Sequence, residues 1–134
     1  MNNLVRNHYL LFWLLIPVIL LIVFFDDRAL DISIHDSYYV FSKYHLSSFI
    51  SMIFLVIGFG YWLMIKLEKR LSIWLIWIHS ILTIGGLMIL FITPYFFNDN
   101  SLSTLNALFV LTGLVIIFTQ LFYFLNIILA IFRK

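Results

Sequence analysis

The sequence contains four long stretches without a charged side chain, and these stretches restrict the environments in which the chain can fold. Each has at least 17 residues, and a helix needs about 17 to 25 apolar residues to cross a bilayer. With 64% hydrophobic and only 10% charged residues, the chain departs far from the composition of soluble domains. We therefore predict an all-α integral membrane protein in which residues 1–134 form one domain. Its four transmembrane helices are expected at about residues 9–25, 44–65, 71–97 and 104–132.

The charged residues between these stretches are divided unequally between the two sides of the membrane. Four spans place the N-terminus, the loop between the second and third helices, and the C-terminus on one side. That side receives six of the eight basic residues, namely Arg6, Lys66, Lys69, Arg70, Arg133 and Lys134. The other side receives five of the six acidic residues, namely Asp26, Asp27, Asp31, Asp36 and Asp99. Because short loops rich in Lys and Arg remain in the cytoplasm, we predict that both termini are cytoplasmic.

Several classes of function are disfavoured by the same composition. The chain has no Cys, which excludes disulfides and thiolate-ligated clusters within it. No charged residue lies deep inside a predicted span, which argues against a channel or a carboxylate proton relay. The basic residues lie at the ends of apolar stretches rather than in a stripe, so no nucleic-acid partner is expected. The predicted partners are the lipid bilayer and either other membrane subunits or further copies of the chain.

The connection between the first two helices carries the most specific pattern in the sequence. It reads His35-Asp36-Ser37-Tyr38-Tyr39-Val40 and continues through Lys43 to His45. This segment resembles the stretch that enters the tenth helix of heme-copper oxidase subunit I, where the family reads Leu-His-Asp-Thr-Tyr-Tyr-Val-Val-Ala-His-Phe-His. The residues in register with that motif are His35, Asp36, Tyr38, Tyr39, Val40 and His45.

The resemblance to subunit I of cytochrome c and quinol oxidases continues along the chain. Further similarities are found at Gly58, at Ile78-His79 with Gly85, at Thr93-Pro94-Tyr95-Phe96 and at Thr104-Leu105-Asn106. They imply that the four spans correspond to the last four helices of the family, and they cover essentially the whole chain. The resemblance therefore implies a role in a respiratory chain and in electron transport. It also implies a bacterial cytoplasmic membrane, with the mitochondrial inner membrane as the alternative.

Two positions of the motif decide what chemistry the resemblance implies. Two residues subtend about 200° on a helix, so the family's two histidines, separated by one residue, leave opposite faces and ligate two hemes. Here these positions hold Lys43 and His45. Lysine is not a usual ligand of the oxygen-reducing heme, whereas His45 is a candidate ligand of the low-spin heme. The family's copper ligands lie on other helices, so the chain is not expected to be a complete oxidase, and no catalytic residue is predicted.

His35 and Asp36 match family residues near a magnesium ion at the outer face. Octahedral magnesium requires several oxygen ligands and usually retains water, and the family completes this site with an acid from another subunit. The resemblance therefore implies only a weak metal site at His35 and Asp36, which depends on a partner.

Three functions remain open at this point. The first is a component or reduced relative of a respiratory oxidase assembly. The second is a small homo-oligomeric b-type cytochrome in which two copies of His45 hold one heme. The third is a heme-free membrane scaffold or assembly factor, in which His45 is an ordinary interfacial histidine. For His79, in the third span, we expect a neutral ring that is hydrogen-bonded to a neighbouring helix rather than a metal ligand.

Overall fold

The computed structural model describes residues 7–25, 30–34, 37–96 and 102–133. Within these ranges the chain forms four long helices and one β-hairpin. The elements are α1 (His8–Phe25), β1 (Leu30–Ile34), β2 (Ser37–Phe41), α2 (Lys43–Lys66), α3 (Ile73–Phe96) and α4 (Leu102–Phe132). All four helices are long and apolar enough to cross a membrane. The predicted four-span, all-α membrane architecture is confirmed, and each helix end lies within two residues of its predicted position. The cytoplasmic location of the termini stays a prediction.

The hairpin is a local feature that the sequence analysis did not predict. Its strands pair antiparallel, from Leu30 opposite Phe41 to Ile34 opposite Ser37. Side chains of successive strand residues point to opposite faces, and β-branched and aromatic residues favour this conformation. All five side chains of β2 are exposed. The two residues between the strands, His35 and Asp36, lie outside the described residues, so their predicted magnesium site stays a prediction.

The chain divides into two compact units, and the first comprises Met1–Leu71 together with Leu129–Lys134. Its core lies between α1 and α2. The ring of Phe12, which is fully buried, lies 5.4 Å from the ring of Phe54 and 6.0 Å from that of Tyr61. Six of the nine buried positions of α2 recur every three or four residues, at Ser47, Ile50, Phe54, Ile57, Tyr61 and Met64. This spacing gives α2 one continuous face against α1.

A close approach between α1 and α2 depends on Gly58. The indole Nε1 of Trp13 donates a hydrogen bond to the carbonyl oxygen of Leu55 at 3.5 Å. A Cβ atom at Gly58 would overlap Nε1 and Cδ1 of that indole. Because glycine has no side chain, the aromatic ring can lie directly on the backbone of α2, and small residues have this use at many membrane helix contacts.

The second unit comprises Ser72–Ile128 and contains α3 and most of α4. The side chain of Asn126 binds both backbone groups of Ser72, at the start of α3. Its Oδ1 accepts from the Ser72 N–H at 2.8 Å, and its Nδ2 donates to the Ser72 carbonyl at 3.2 Å. The first N–H groups of a helix have no intrahelical partner, so Asn126, which is fully buried, caps α3 from the neighbouring helix. That residues 1–134 form one domain stays a prediction.

Replacing Asn126 by Ala should therefore destabilise the second unit. Loss of a helix cap costs about 0.5 to 2 kcal/mol, and here the Ser72 N–H would also lose its partner. Unfolding in mixed detergent micelles, followed by circular dichroism, measures the change. Leu125→Ala is the matched control because Leu125 is adjacent and 49% exposed. Equal effects of the two substitutions would contradict the capping role.

Candidate functional site

The candidate cofactor residue lies at the end of α2 that follows the hairpin. Ser42 alone separates β2 from α2, and its backbone is extended, with φ −64° and ψ 127°. Its carbonyl accepts the first helical hydrogen bond, from the Leu46 N–H at 3.1 Å. This geometry places Lys43 and His45 in the first turn of α2. Because the two residues are separated by one position, their side chains leave the helix on nearly opposite sides.

The structure gives these two side chains opposite environments. Lys43 is only 5% exposed, whereas His45 is exposed. The His45 side chain is thus on the exposed side of α2. His45 begins a stripe of exposed residues on the side of α2 that does not face α1, and the stripe continues through Phe49, Met52 and Val56. An imidazole in this position is available to lipid or to another protein.

The described residues of the first unit do not supply a second axial ligand for a heme at His45. Within the first unit, the other described histidine is His8, whose ring lies 6.0 Å from that of Tyr61. Tyr61 is sixteen residues from His45, or about 24 Å along α2. The described residues contain no group of three or more His, Cys, Asp or Glu that could hold a metal ion. Within the part of the first unit that the structure describes, a heme on His45 would therefore need its second ligand from elsewhere.

His79 in the second unit is hydrogen-bonded to the neighbouring helix, as predicted. Its side chain is completely buried, and its Nε2 lies 3.2 Å from Oε1 of Gln120 on α4. The ring of Tyr123 packs against it, with 5.6 Å between the ring centroids. The imidazole is thus held by an amide and an aromatic ring, an environment that suits a structural histidine.

The hydrogen bond of His79 belongs to a wider polar network that the sequence analysis missed. The hydroxyl groups of Thr83 and Thr119 lie 3.1 Å apart, between α3 and α4. The amide nitrogen of Gln120 donates to the Ile116 carbonyl at 3.0 Å and to the Thr83 hydroxyl at 3.5 Å. In a bilayer such groups have no water to replace a missing partner. The network therefore favours one register between α3 and α4.

A sequence signal for this network does exist. His79 and Thr83 are four residues apart, and Thr119, Tyr123 and Asn126 follow one another at intervals of four and three. Residues with this spacing share one face of a helix. Polar side chains repeated on one face of an otherwise apolar span indicate contact with another helix.

Comparison with known proteins identifies no relative: no protein-family model, no curated protein and no solved structure matches this chain. The fold itself defines the class, which is a helical integral membrane protein whose described residues include four helices able to span a bilayer.

Proposed function

We propose that the chain is a membrane subunit of a respiratory oxidase-type assembly and that it does not reduce dioxygen by itself. One observation carries the proposal. The position that matches the low-spin heme ligand, His45, is exposed at the end of α2, while the position that matches the ligand of the oxygen-reducing heme, Lys43, is buried. An exposed imidazole beside an apolar stripe suits a contact with a neighbouring subunit, and the buried lysine does not suit a second heme.

In such an assembly, His45 would lie at the interface with a neighbouring subunit. A neutral imidazole is a good iron ligand, and among the described residues of the first unit the other histidine, His8, packs beside Tyr61, about 24 Å along α2 from His45. A heme on His45 would be completed by a ligand of the neighbouring subunit. Heme bound there would supply electron transfer, and the chain itself would contribute one ligand and an apolar surface that excludes water.

His45→Ala tests this assignment. Heme content per complex, measured by a pyridine hemochrome assay and a reduced-minus-oxidised spectrum, should fall, because loss of one axial ligand weakens heme binding. At heme concentrations below the dissociation constant, a loss of about 1.4 kcal/mol lowers the occupancy about tenfold. Ser48→Ala is the matched control, since Ser48 is also exposed near the start of α2 and offers no iron ligand. Unchanged heme content in the His45 variant would contradict the assignment.

A homo-oligomeric b-type cytochrome is the second candidate, and the exposure of His45 also favours it. Two copies related by a two-fold axis would each present the same surface, so both axial ligands of one heme would be His45. In that case the purified chain alone would show a Soret band, and His45→Ala would abolish it. A heme-free scaffold would show no Soret band in any preparation, and its association would be insensitive to His45→Ala.

A further inference from the structure

Among its described residues, the first unit has four basic side chains at the end of α2 that lies far from His45. Lys66 is the last residue of α2, Lys69 and Arg70 follow in the loop, and Arg133 directly follows α4. Glu68 is the acidic residue among them. We refer to Lys66, Lys69, Arg70 and Arg133 as the basic cluster. These charges are contributed by two segments that are distant in the sequence, so their proximity is a property of the fold.

A tight turn after α2 determines the positions of Lys69 and Arg70 in the basic cluster. The Glu68 N–H donates to the Ile65 carbonyl at 3.0 Å, and the Lys69 N–H donates to the Met64 carbonyl at 3.0 Å. Glu68 has a positive φ of 56°. These two bonds and the left-handed residue form a Schellman motif, which ends a helix and reverses the chain direction. The motif therefore fixes the positions of Lys69 and Arg70 relative to the end of α2.

A side-chain contact then joins the turn to the end of α4. Lys69 Nζ donates a hydrogen bond to the carbonyl oxygen of Ile131 at 3.3 Å. The last carbonyls of a helix have no intrahelical partner, and a cation near them is favourable. Arg133 is two residues beyond Ile131, and its N–H bonds to the Leu129 carbonyl at 3.0 Å. The loop and the end of α4 are therefore held together.

The position of the basic cluster relative to the apolar helices defines the level of the membrane at which it lies. Lys66 Nζ lies 4.8 Å from the centre of the Trp62 ring. Tryptophan is enriched at the boundary between the hydrocarbon core and the headgroups, and lysine near a helix end extends its ammonium toward the same layer. Lys66 and Arg70 are both exposed, as is Arg133. The exposed cations thus lie at headgroup level.

From this arrangement we propose that the basic cluster is a binding site for the headgroup of an anionic phospholipid. The guanidinium group of arginine can bind phosphate oxygens with two parallel hydrogen bonds. Arg70 and Arg133 supply the guanidinium groups of the basic cluster. Basic residues beside transmembrane helices attract acidic lipids. The occupant is a lipid rather than free phosphate, because the apolar spans that end at the cluster provide a surface for the acyl chains.

Lipid binding to the whole protein in neutral detergent tests the proposal. Native mass spectrometry would count the bound molecules of phosphatidylglycerol and of phosphatidylcholine with the same acyl chains. We expect phosphatidylglycerol to bind at least about tenfold more tightly, because each basic residue near the surface contributes about fivefold in affinity. Arg70→Gln and Arg133→Gln should each lower that preference about fivefold. Both side chains are exposed, so the fold should be retained, and circular dichroism checks this.

Arg28→Gln is the matched control, since it removes the same charge at the opposite predicted side of the membrane. It should leave the preference for phosphatidylglycerol unchanged. Inorganic phosphate at about 10 mM should not displace the lipid, because exposed ion pairs without an apolar contribution are weak. Equal binding of the two lipids would overturn the proposal. An effect of Arg28→Gln as large as that of Arg70→Gln would also overturn it, as would displacement by phosphate, which would identify a free anion as the ligand.

Discussion

Gly58→Ala should destabilise the protein by about 1 to 3 kcal/mol, the usual cost of inserting a methyl group into a filled contact. The added Cβ would overlap Nε1 and Cδ1 of Trp13, so the indole would have to move. Its hydrogen bond to the Leu55 carbonyl, at 3.5 Å, would then be lost. Unfolding in mixed detergent micelles, followed by circular dichroism, measures the loss of stability.

Gly85→Ala provides the matched control for Gly58→Ala. A Cβ at Gly85 would meet no atom within 4 Å, and alanine is favoured over glycine in a helix by about 1 kcal/mol. Gly85→Ala should therefore be neutral or stabilising. In a Trp13→Ala background the penalty of Gly58→Ala should disappear, because contacting residues are energetically coupled. Equal effects of the two glycine substitutions would contradict the proposed contact.

Gln120→Leu should also destabilise the protein by about 1 to 3 kcal/mol. Leucine has a similar size but cannot hydrogen-bond, so His79 Nε2 would lose its 3.2 Å partner in surroundings without water. The Thr83 hydroxyl would lose a donor but keep Thr119. Measured hydrogen bonds between membrane helices average about 0.6 kcal/mol. A cost above that value would come from the buried imidazole Nε2, which loses its contact with Gln120.

A double-mutant cycle separates this explanation from a general loss of packing. His79→Leu together with Gln120→Leu removes both partners, so the second substitution should cost much less than it does in the natural background. The same unfolding measurement gives the coupling. If the two costs simply add, His79 and Gln120 do not interact, and the polar network does not set the register of α3 and α4.

The four spans could be predicted because the bilayer imposes a simple rule on the sequence. A stretch without charges must be at least as long as the hydrocarbon core, and charged residues such as Lys66 and Arg133 mark the points where a span ends. These constraints act on single segments. Helix ends could therefore be placed within two residues without knowledge of which helices touch.

Contacts between elements were harder to predict, because they depend on rotation and register. The sequence does not indicate that the neighbour of Gly58 is Trp13. The pairing of His79 with Gln120 likewise depends on how α3 and α4 are aligned. The hairpin before α2 was missed because a strand of five residues, such as Ser37–Phe41, is a short signal beside spans of 18 residues or more.

The exposure of His45 and the burial of Lys43 also could not be predicted from the sequence. Their spacing predicts that they leave opposite sides of α2. Which side faces α1 depends on residues further along, at Ile50, Phe54 and Ile57. The resemblance to oxidase subunit I singled out Lys43 and His45 as candidates. The structure adds that His45 lies on the side of α2 that does not face α1.

The most direct test of the proposed function is recovery of the chain with its neighbours from the membranes in which it is naturally made. An affinity-tagged chain, extracted in a mild detergent, should co-purify with subunits of a respiratory oxidase, identified by mass spectrometry. The same fraction should show a heme signal in a reduced-minus-oxidised spectrum. Recovery of the chain alone, or only with further copies of itself, would contradict the account.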